Sequence, residues 1–324
     1  MEEHQDDGAR LEALIAAAIV TLRRSFTQAL RQVAQRWSLD QIEELILARR
    51  FDDALAMAEL AAANLANDVT EQFLRSARDT SRFLSDTLDV VVTFDQTNER
   101  AVAAMRQNQL RLIREFTREQ QRATRIALVE GIQQGLNPRE QARLFRSSLG
   151  LTARQMQAVA NYRRLLEAGD SAALTRALRD KRFDSSVRAA VSGDRPLTLA
   201  QIDRMVERYR EKYVRYRGEV IARTEALRSV HEGATAAYEQ AIASGVLDAD
   251  ALTRTWITAS DERVRGSHSF MHGQQRLIDQ PFVSGAGNRL RWPGDIDAPG
   301  SETIQCRCVL TTQFTVDAEA QEIA

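Results

Sequence analysis

The sequence predicts a mainly α-helical protein: long N-terminal helices, a helical middle region and a small α+β C-terminal domain. Three observations carry this. No Gly or Pro interrupts the 122 residues from Ala9 to Glu130, whereas a β-rich chain needs turn signals every 8–12 residues or so. Apolar residues in that stretch recur at helical spacing. The last 84 residues then hold 7 of the 15 glycines and 3 of the 5 prolines, the punctuation of short strands and turns.

The elements follow in order. Leu11, Leu14, Ile15, Ala18, Ile19, Leu22, Phe26, Leu30, Val33 and Trp37 mark one face of a first helix. Ser38-Leu-Asp-Gln41 reads as a capping box, in which Ser and Gln satisfy free backbone N–H groups at a helix start. This predicts a second helix reaching Leu60 and a third over 65–89. Val90–Phe94 is β-branched and reads as a connector. Asn98 then caps a long helix carrying Val102, Met105, Leu112, Ile113, Phe116, Ala123 and Ile126. Turn residues at Gly131, Gly135, Asn137-Pro138 and Gly150 delimit short helices over 138–147, 152–168 and 171–180. Thr198 to Gln201 caps a helix that runs to about residue 243. Its Tyr209, Tyr213 and Tyr216 form a stripe, read as a core or contact face rather than a platform for stacking bases. Beyond it, 254–258, 275–278, 289–292 and 308–314 read as strands, with a helical turn over 264–271. The expected organisation is 1–93 as a helical attachment region, 94–198 as a helical middle and 199–324 as a long helix plus small domain. That last part is expected to fold apart from the N-terminal helices.

The net charge of −1 conceals segregation. Residues 100–217 hold 25 basic and 12 acidic side chains, a net of +13, between flanks of −8 and −6. Such a block is a candidate surface for DNA or an acidic partner. No run of 18 apolar residues exists and the acidic N-terminus has no apolar signal core, so no membrane span is expected.

Both cysteines lie in Cys306-Arg307-Cys308, and His268 and His272 stand at i,i+4 spacing upstream. Thiolate sulfur and imidazole nitrogen are the ligands zinc prefers. His268, His272, Cys306 and Cys308 are therefore candidate zinc ligands, and a buried thiol pair with a hydrogen-bonded His is the alternative. A second constellation, Arg223, Glu225, Asp261, Arg263, Arg265, Asp295 and Arg307 with His268, reads as charged groups that pair to hold the fold rather than as a catalytic set. No phosphate-binding loop, nucleophile elbow or His-Glu-x-x-His motif is present.

The ordered series Ile221-Ala-Arg-Thr-Glu225, Trp256, Asp261…Arg265, His268, Met271-His-Gly273, Pro293-Gly-Asp295 and Cys306-Arg-Cys308 resembles the phage Mu protein F-like family of head morphogenesis proteins. Phe94-Asp95, Asn98, Gly150-Leu-Thr152 and Asn161-Tyr-Arg-Arg164 extend the resemblance upstream, to about residues 94–315. It implies a structural minor head protein of a tailed bacteriophage, without enzymatic activity. Its implied partners are the portal, and further the major capsid protein and double-stranded DNA, with several copies per head. The implied location is the virion head near the portal, after assembly in the host cytoplasm. The alternative is a metal-dependent hydrolase or nuclease acting in DNA packaging or head maturation.

Overall fold

A computed structural model describes residues 5–36 and 38–314. Trp37, the last member of the first apolar stripe, lies outside the described residues. A two-residue strand β1 (Gln5–Asp6) precedes α1 (Gly8–Arg36), α2 (Leu39–Leu47), α3 (Phe51–Leu88), α4 (Glu99–Gln133), α5 (Pro138–Ser147), α6 (Ala153–Glu167), α7 (Asp184–Val191) and α8 (Leu199–Ala243). Then come β2 (Leu252–Ile257), α9 (Gly266–Ser269), β3 (Gln275–Leu277), β4 (Phe282–Val283), β5 (Arg289–Leu290), α10 (Gly300–Thr303) and β6 (Val309–Phe314). Long helices followed by a small strand-bearing region are the fold class the sequence predicts.

Several helix starts obey local chemistry. Ser38, Asn137 and Thr152 each make a complete capping box, with Gln41, Glu140 and Gln155 respectively. Two differences stand out. The second helix stops at Leu47, because Arg49 takes a left-handed conformation (φ 56°) and the Arg50 N–H closes onto Leu45 O at 2.8 Å. The third then runs unbroken from Phe51. No Gly or Pro marks that turn. Residues 171–175 and 181–183 form 3₁₀ turns rather than one helix, and α7 after them had no sequence signal.

By compactness the chain forms two units: residues 1–25, 65–111 and 220–324, and residues 26–64 and 112–219. Each gathers stretches distant in sequence, so this division does not follow the three consecutive segments read from the sequence.

The first unit holds an antiparallel sheet of order β1-β6-β2-β3, and β4 and β5 form a separate hairpin. In register, Gln5 faces Phe314, Trp256 faces Leu310 and Arg254 faces Arg276. Leu84, Tyr238, Ala241, Leu247, Leu252 and Phe314 form one core beside this sheet. Leu11, Ile15, Ala18 and Leu22 of α1 are buried. By length and composition alone α1 is apolar enough to cross a membrane, and one stripe of it is buried in the fold. Asp7 ties the N-terminus in. Its fully buried carboxylate accepts from Tyr238 Oη at 2.7 Å, Thr312 N at 2.7 Å and Arg10 at 3.1 Å. Gly233 of α8 sits against α3, where an added Cβ would stand 2.3 Å from the Phe73 carbonyl oxygen. Ser76 Oγ donates to Val230 O at 2.7 Å beside it.

The second unit packs Tyr162, Leu166, Val187, Ile202, Met205 and Tyr209 into its core. Tyr162 and Tyr209 lie with ring centroids 4.3 Å apart, and Tyr213 meets Tyr209 edge-on at 5.0 Å. The tyrosine stripe is thus largely internal, with Tyr216 exposed. Gly150 (φ 81°) begins the turn into α6, and a Cβ there would meet Leu30 at 2.5 Å.

Two outcomes are expected. Asp7→Ala strands the Tyr238 hydroxyl and the Thr312 N–H in the core, and should cost about 2–4 kcal/mol in urea unfolding, by the penalty of leaving buried polar groups unpaired. A fragment of residues 199–324 lacks Asp7, Ser76 and the β1 edge. It should show no cooperative melt by circular dichroism, whereas the full chain should.

Candidate functional site

The ordered motifs converge within the first unit, on the middle of α8. Residues Thr224 to Thr235 of that helix are all buried. Glu225 lies between two guanidiniums: Arg228 donates to both its oxygens at 2.9 Å, and Arg111 reaches the same two at 3.1 and 2.9 Å. Burial opposes charge on Glu225, but Arg228 and Arg111 outweigh it and hold the carboxyl below its ordinary range. Arg228 also donates Nε to Gly294 O at 2.8 Å. Gly294 has φ 88°, and a Cβ there would press on the Arg228 backbone at 3.1 Å, so only glycine brings this loop so close. Thr224 Oγ1 accepts the Gln305 N–H at 3.1 Å, just before Cys306. The Arg-Thr-Glu, Pro-Gly-Asp and Cys-Arg-Cys motifs are therefore points at which one helix is gripped by two loops.

The charged residues singled out from the sequence separate into local groups. Asp295 takes Arg291 at 2.7 Å and the Arg291 N–H at 2.8 Å. Asp261 pairs with Arg307, and with Arg263 at 3.6 Å; the hydrogen bond from Arg307 lowers its pKa first among the causes. Arg265 donates to Ile304 O. Arg223 forms no ion pair among the described residues, so Glu225 takes Arg228 and Arg111 instead. Helical spacing explains this: Arg228 lies at i+3 from Glu225, on the same face, whereas Arg223 at i−2 points elsewhere. Arg228, Arg111 and Glu302 carry much of the site, and no short motif marks them.

Of the four candidate metal ligands the structure brings three together. His268 Nδ1 lies 3.4 Å from Cys308 Sγ and 3.5 Å from Cys306 Sγ, and the three ligand atoms fall within 4.8 Å of one another. All three residues are buried and both thiols are free. His272 is not with them. It is exposed, and its Nδ1 accepts the Thr258 N–H at 3.1 Å. The turn after Ser269 carries it away from the face that His268 presents inward. On its far side His268 Nε2 stands 2.9 Å from Glu302 Oε2. Ser267, Ser284 and Asn288 each donate to Glu302 at 2.9 Å. Burial opposes the Glu302 charge; those hydrogen bonds and the nearby His268 prevail and lower its pKa. Cys308 donates to Cys306, and His268 adds to the effect, so the Cys306 thiol is held well below its ordinary pKa and that of Cys308 is raised. Trp256 meets the His268 ring edge-on at 5.7 Å.

Residues 184–311 match the family described as phage Mu protein F like protein. The match bears out the family resemblance carried by the motifs from Ile221 to Cys308; those at 94–164 lie outside the matched residues. It spans β2 to β5 and the first half of β6, together with α7 and α8 before them. No curated protein and no solved structure gives a significant match.

The second unit presents a different kind of surface. Arg114, Arg118, Arg122 and Arg125 are exposed on α4 at spacings of four, four and three, which align on one face. Arg122 pairs with Glu119 at 3.0 Å; Arg114, Arg118 and Arg125 form no ion pair among the described residues.

Two neighbouring groups on α8 predict opposite pH dependences. Burial raises the Glu232 pKa to about 7, against the opposing effect of its hydrogen bond from Asn108. The unfolded carboxyl titrates near 4.5, so this contribution to stability is full below that pH and is lost as pH rises through about 7. Burial lowers the His231 pKa to about 4, from 6.5 unfolded. Its contribution is full above 6.5 and is lost as pH falls toward 4. Glu232→Gln removes the first and leaves the second. Relative to the parent protein, its melting temperature should climb steadily from about pH 5 to pH 8. A pH-independent difference would mean Glu232 is already ionised in the folded state.

Proposed function

We propose that this protein is a structural minor head protein of a tailed bacteriophage, acting in head morphogenesis through contact with the portal. The family match over residues 184–311 is the observation that carries this reading. The geometry supports it, because most of the motif residues are engaged in contacts within the fold. Glu225 and Asp295 are buried in ion pairs, and the His268–Cys306–Cys308 group is closed to solvent. A hydrolase or nuclease needs a reacting group that substrate can reach, so the arrangement favours the structural role over the hydrolytic one. The protein would be made in the host cytoplasm and end in the virion head, in several copies, near the major capsid protein.

The basic middle of the chain suggests how it meets DNA. Three unpaired arginines on one exposed face of α4 would lie along a phosphate backbone and release counterions as they bind. No base-reading geometry is implied, so binding would be independent of sequence.

The portal contact is tested by purifying assembled heads and asking whether the chain travels with the portal in particles but not in mutant heads lacking portal. Absence from both would remove the structural reading. For DNA, Arg114→Ala, Arg118→Ala and Arg125→Ala combined should weaken duplex binding equally for unrelated sequences. The slope of log K against log salt should fall by about 2–3 units, at roughly 0.9 per phosphate contact. An unchanged slope would move the stripe to an acidic protein partner.

A further inference from the structure

We propose that His268, Cys306 and Cys308 bind one zinc ion, with Glu302 positioning the histidine from behind and His272 taking no part. This assignment is independent of the phage reading, since it rests on the donor set alone.

Ligand spacing comes first. In a tetrahedral zinc site with Zn–S near 2.3 Å and Zn–N near 2.0–2.1 Å, the nitrogen and each sulfur stand about 3.5 Å apart. His268 Nδ1 stands 3.5 and 3.4 Å from the two sulfurs. Both nitrogen-to-sulfur separations thus match a tetrahedral site, and the three donors lie within 4.8 Å of one another, close enough for one ion to join them.

Second, the far side of the ring is built for a ligand. Metal-bound histidines commonly turn their other ring nitrogen to a carboxylate, which sets the tautomer and raises the basicity of the ligating nitrogen. Glu302 occupies that place. Three donors, Ser267, Ser284 and Asn288, hold its carboxylate so that Oε2 faces His268 Nε2 at 2.9 Å. Nε2 is buried and is not aligned for a full hydrogen bond. A small ring rotation as Nδ1 closes on an ion would complete it, with the proton on Nε2 and the Nδ1 lone pair toward the sulfurs.

Third, the Cys-x-Cys arrangement suits a metal better than a disulfide or a bare pair. The Cys308 N–H already points to Cys306 Sγ at 3.4 Å, the kind of backbone contact that stabilises a thiolate. Two thiolates buried here without a cation would be costly. With zinc, two thiolates and one neutral imidazole sum to zero charge at the ion. The described residues supply three ligands, so the fourth position falls to water or another small ligand. The role is structural. The ion would fasten α9 to the start of β6, the central partner of β1 and β2.

The test uses the full-length chain, purified without chelator, with metal read by mass spectrometry of the elements. About one equivalent of zinc is expected, as for a folding-coupled structural site. Replacing zinc by cobalt should give thiolate-to-metal charge transfer in the near ultraviolet and the strong visible bands of a tetrahedral site. Cys306→Ser with Cys308→Ser should abolish both. His272→Ala should keep the full equivalent. Glu302→Gln should bind zinc about 10–100-fold more weakly yet fill to one equivalent when zinc is in excess, which a residue that merely supports the fold would not do. Should the double cysteine variant fail to fold, cobalt titration of the parent chain still decides. Less than about a tenth of an equivalent of zinc, with no charge-transfer band on adding cobalt, would overturn the site. So would loss of metal in His272→Ala.

Discussion

Residues 224–235 of α8 are buried on every side, and seven of them are polar or charged: Thr224, Glu225, Arg228, Ser229, His231, Glu232 and Thr235. A helix buried all round is normally apolar all round. Here each polar group must find a partner inside the protein or pay for its desolvation. That requirement organises the first unit. Glu225 calls in Arg228 and Arg111, and Arg228 calls in the Gly294 carbonyl. His231 donates Nδ1–H to Leu227 O and accepts the Leu310 N–H at Nε2, which fastens β6 to the helix.

The same logic gives the family motifs a physical meaning. Glycine in Pro293-Gly-Asp295 allows the loop to lie on the α8 backbone, and aspartate closes the turn on Arg291. Threonine in Arg223-Thr-Glu225 receives the N–H of Gln305, whose left-handed conformation (φ 57°) turns the chain toward Cys306. Motifs tens of residues apart in the chain are thus the two ends of single contacts. Arg254 adds a further brace. It is buried, its pKa lowered to about 10 by burial, and it donates to the carbonyls of Arg291, Leu277 and Gln280. One side chain thus holds the end of β3 and two stretches of loop backbone after it.

Local signals in the sequence located most elements, for identifiable reasons. Ser38, Asn137 and Thr152 cap helices whatever surrounds them, because the cap bonds lie within three residues. The break at Arg49 escaped notice because a left-handed arginine carries no signature of its own. The strand β1 escaped because two residues have no period, and its pairing with β6 spans nearly the whole chain. Among the candidate site residues, Cys306, Cys308 and His268 were legible from residue type. Exclusion of His272 was not, since i,i+4 spacing puts two side chains together only where the helix continues, and α9 ends at Ser269.

The sequence by itself determined the helical class, the turns, the charge segregation and the resemblance to the family that residues 184–311 match, all of which depend on neighbours along the chain or on ordered motifs. Tertiary structure alone decided which distant groups meet: Arg111 for Glu225, Asp7 for Tyr238 and Thr312, Glu302 for His268. The physical reason is that an ion pair or hydrogen bond depends on distance in space and on burial. Neither is encoded by spacing when the partners lie 114, 231 or 305 residues apart.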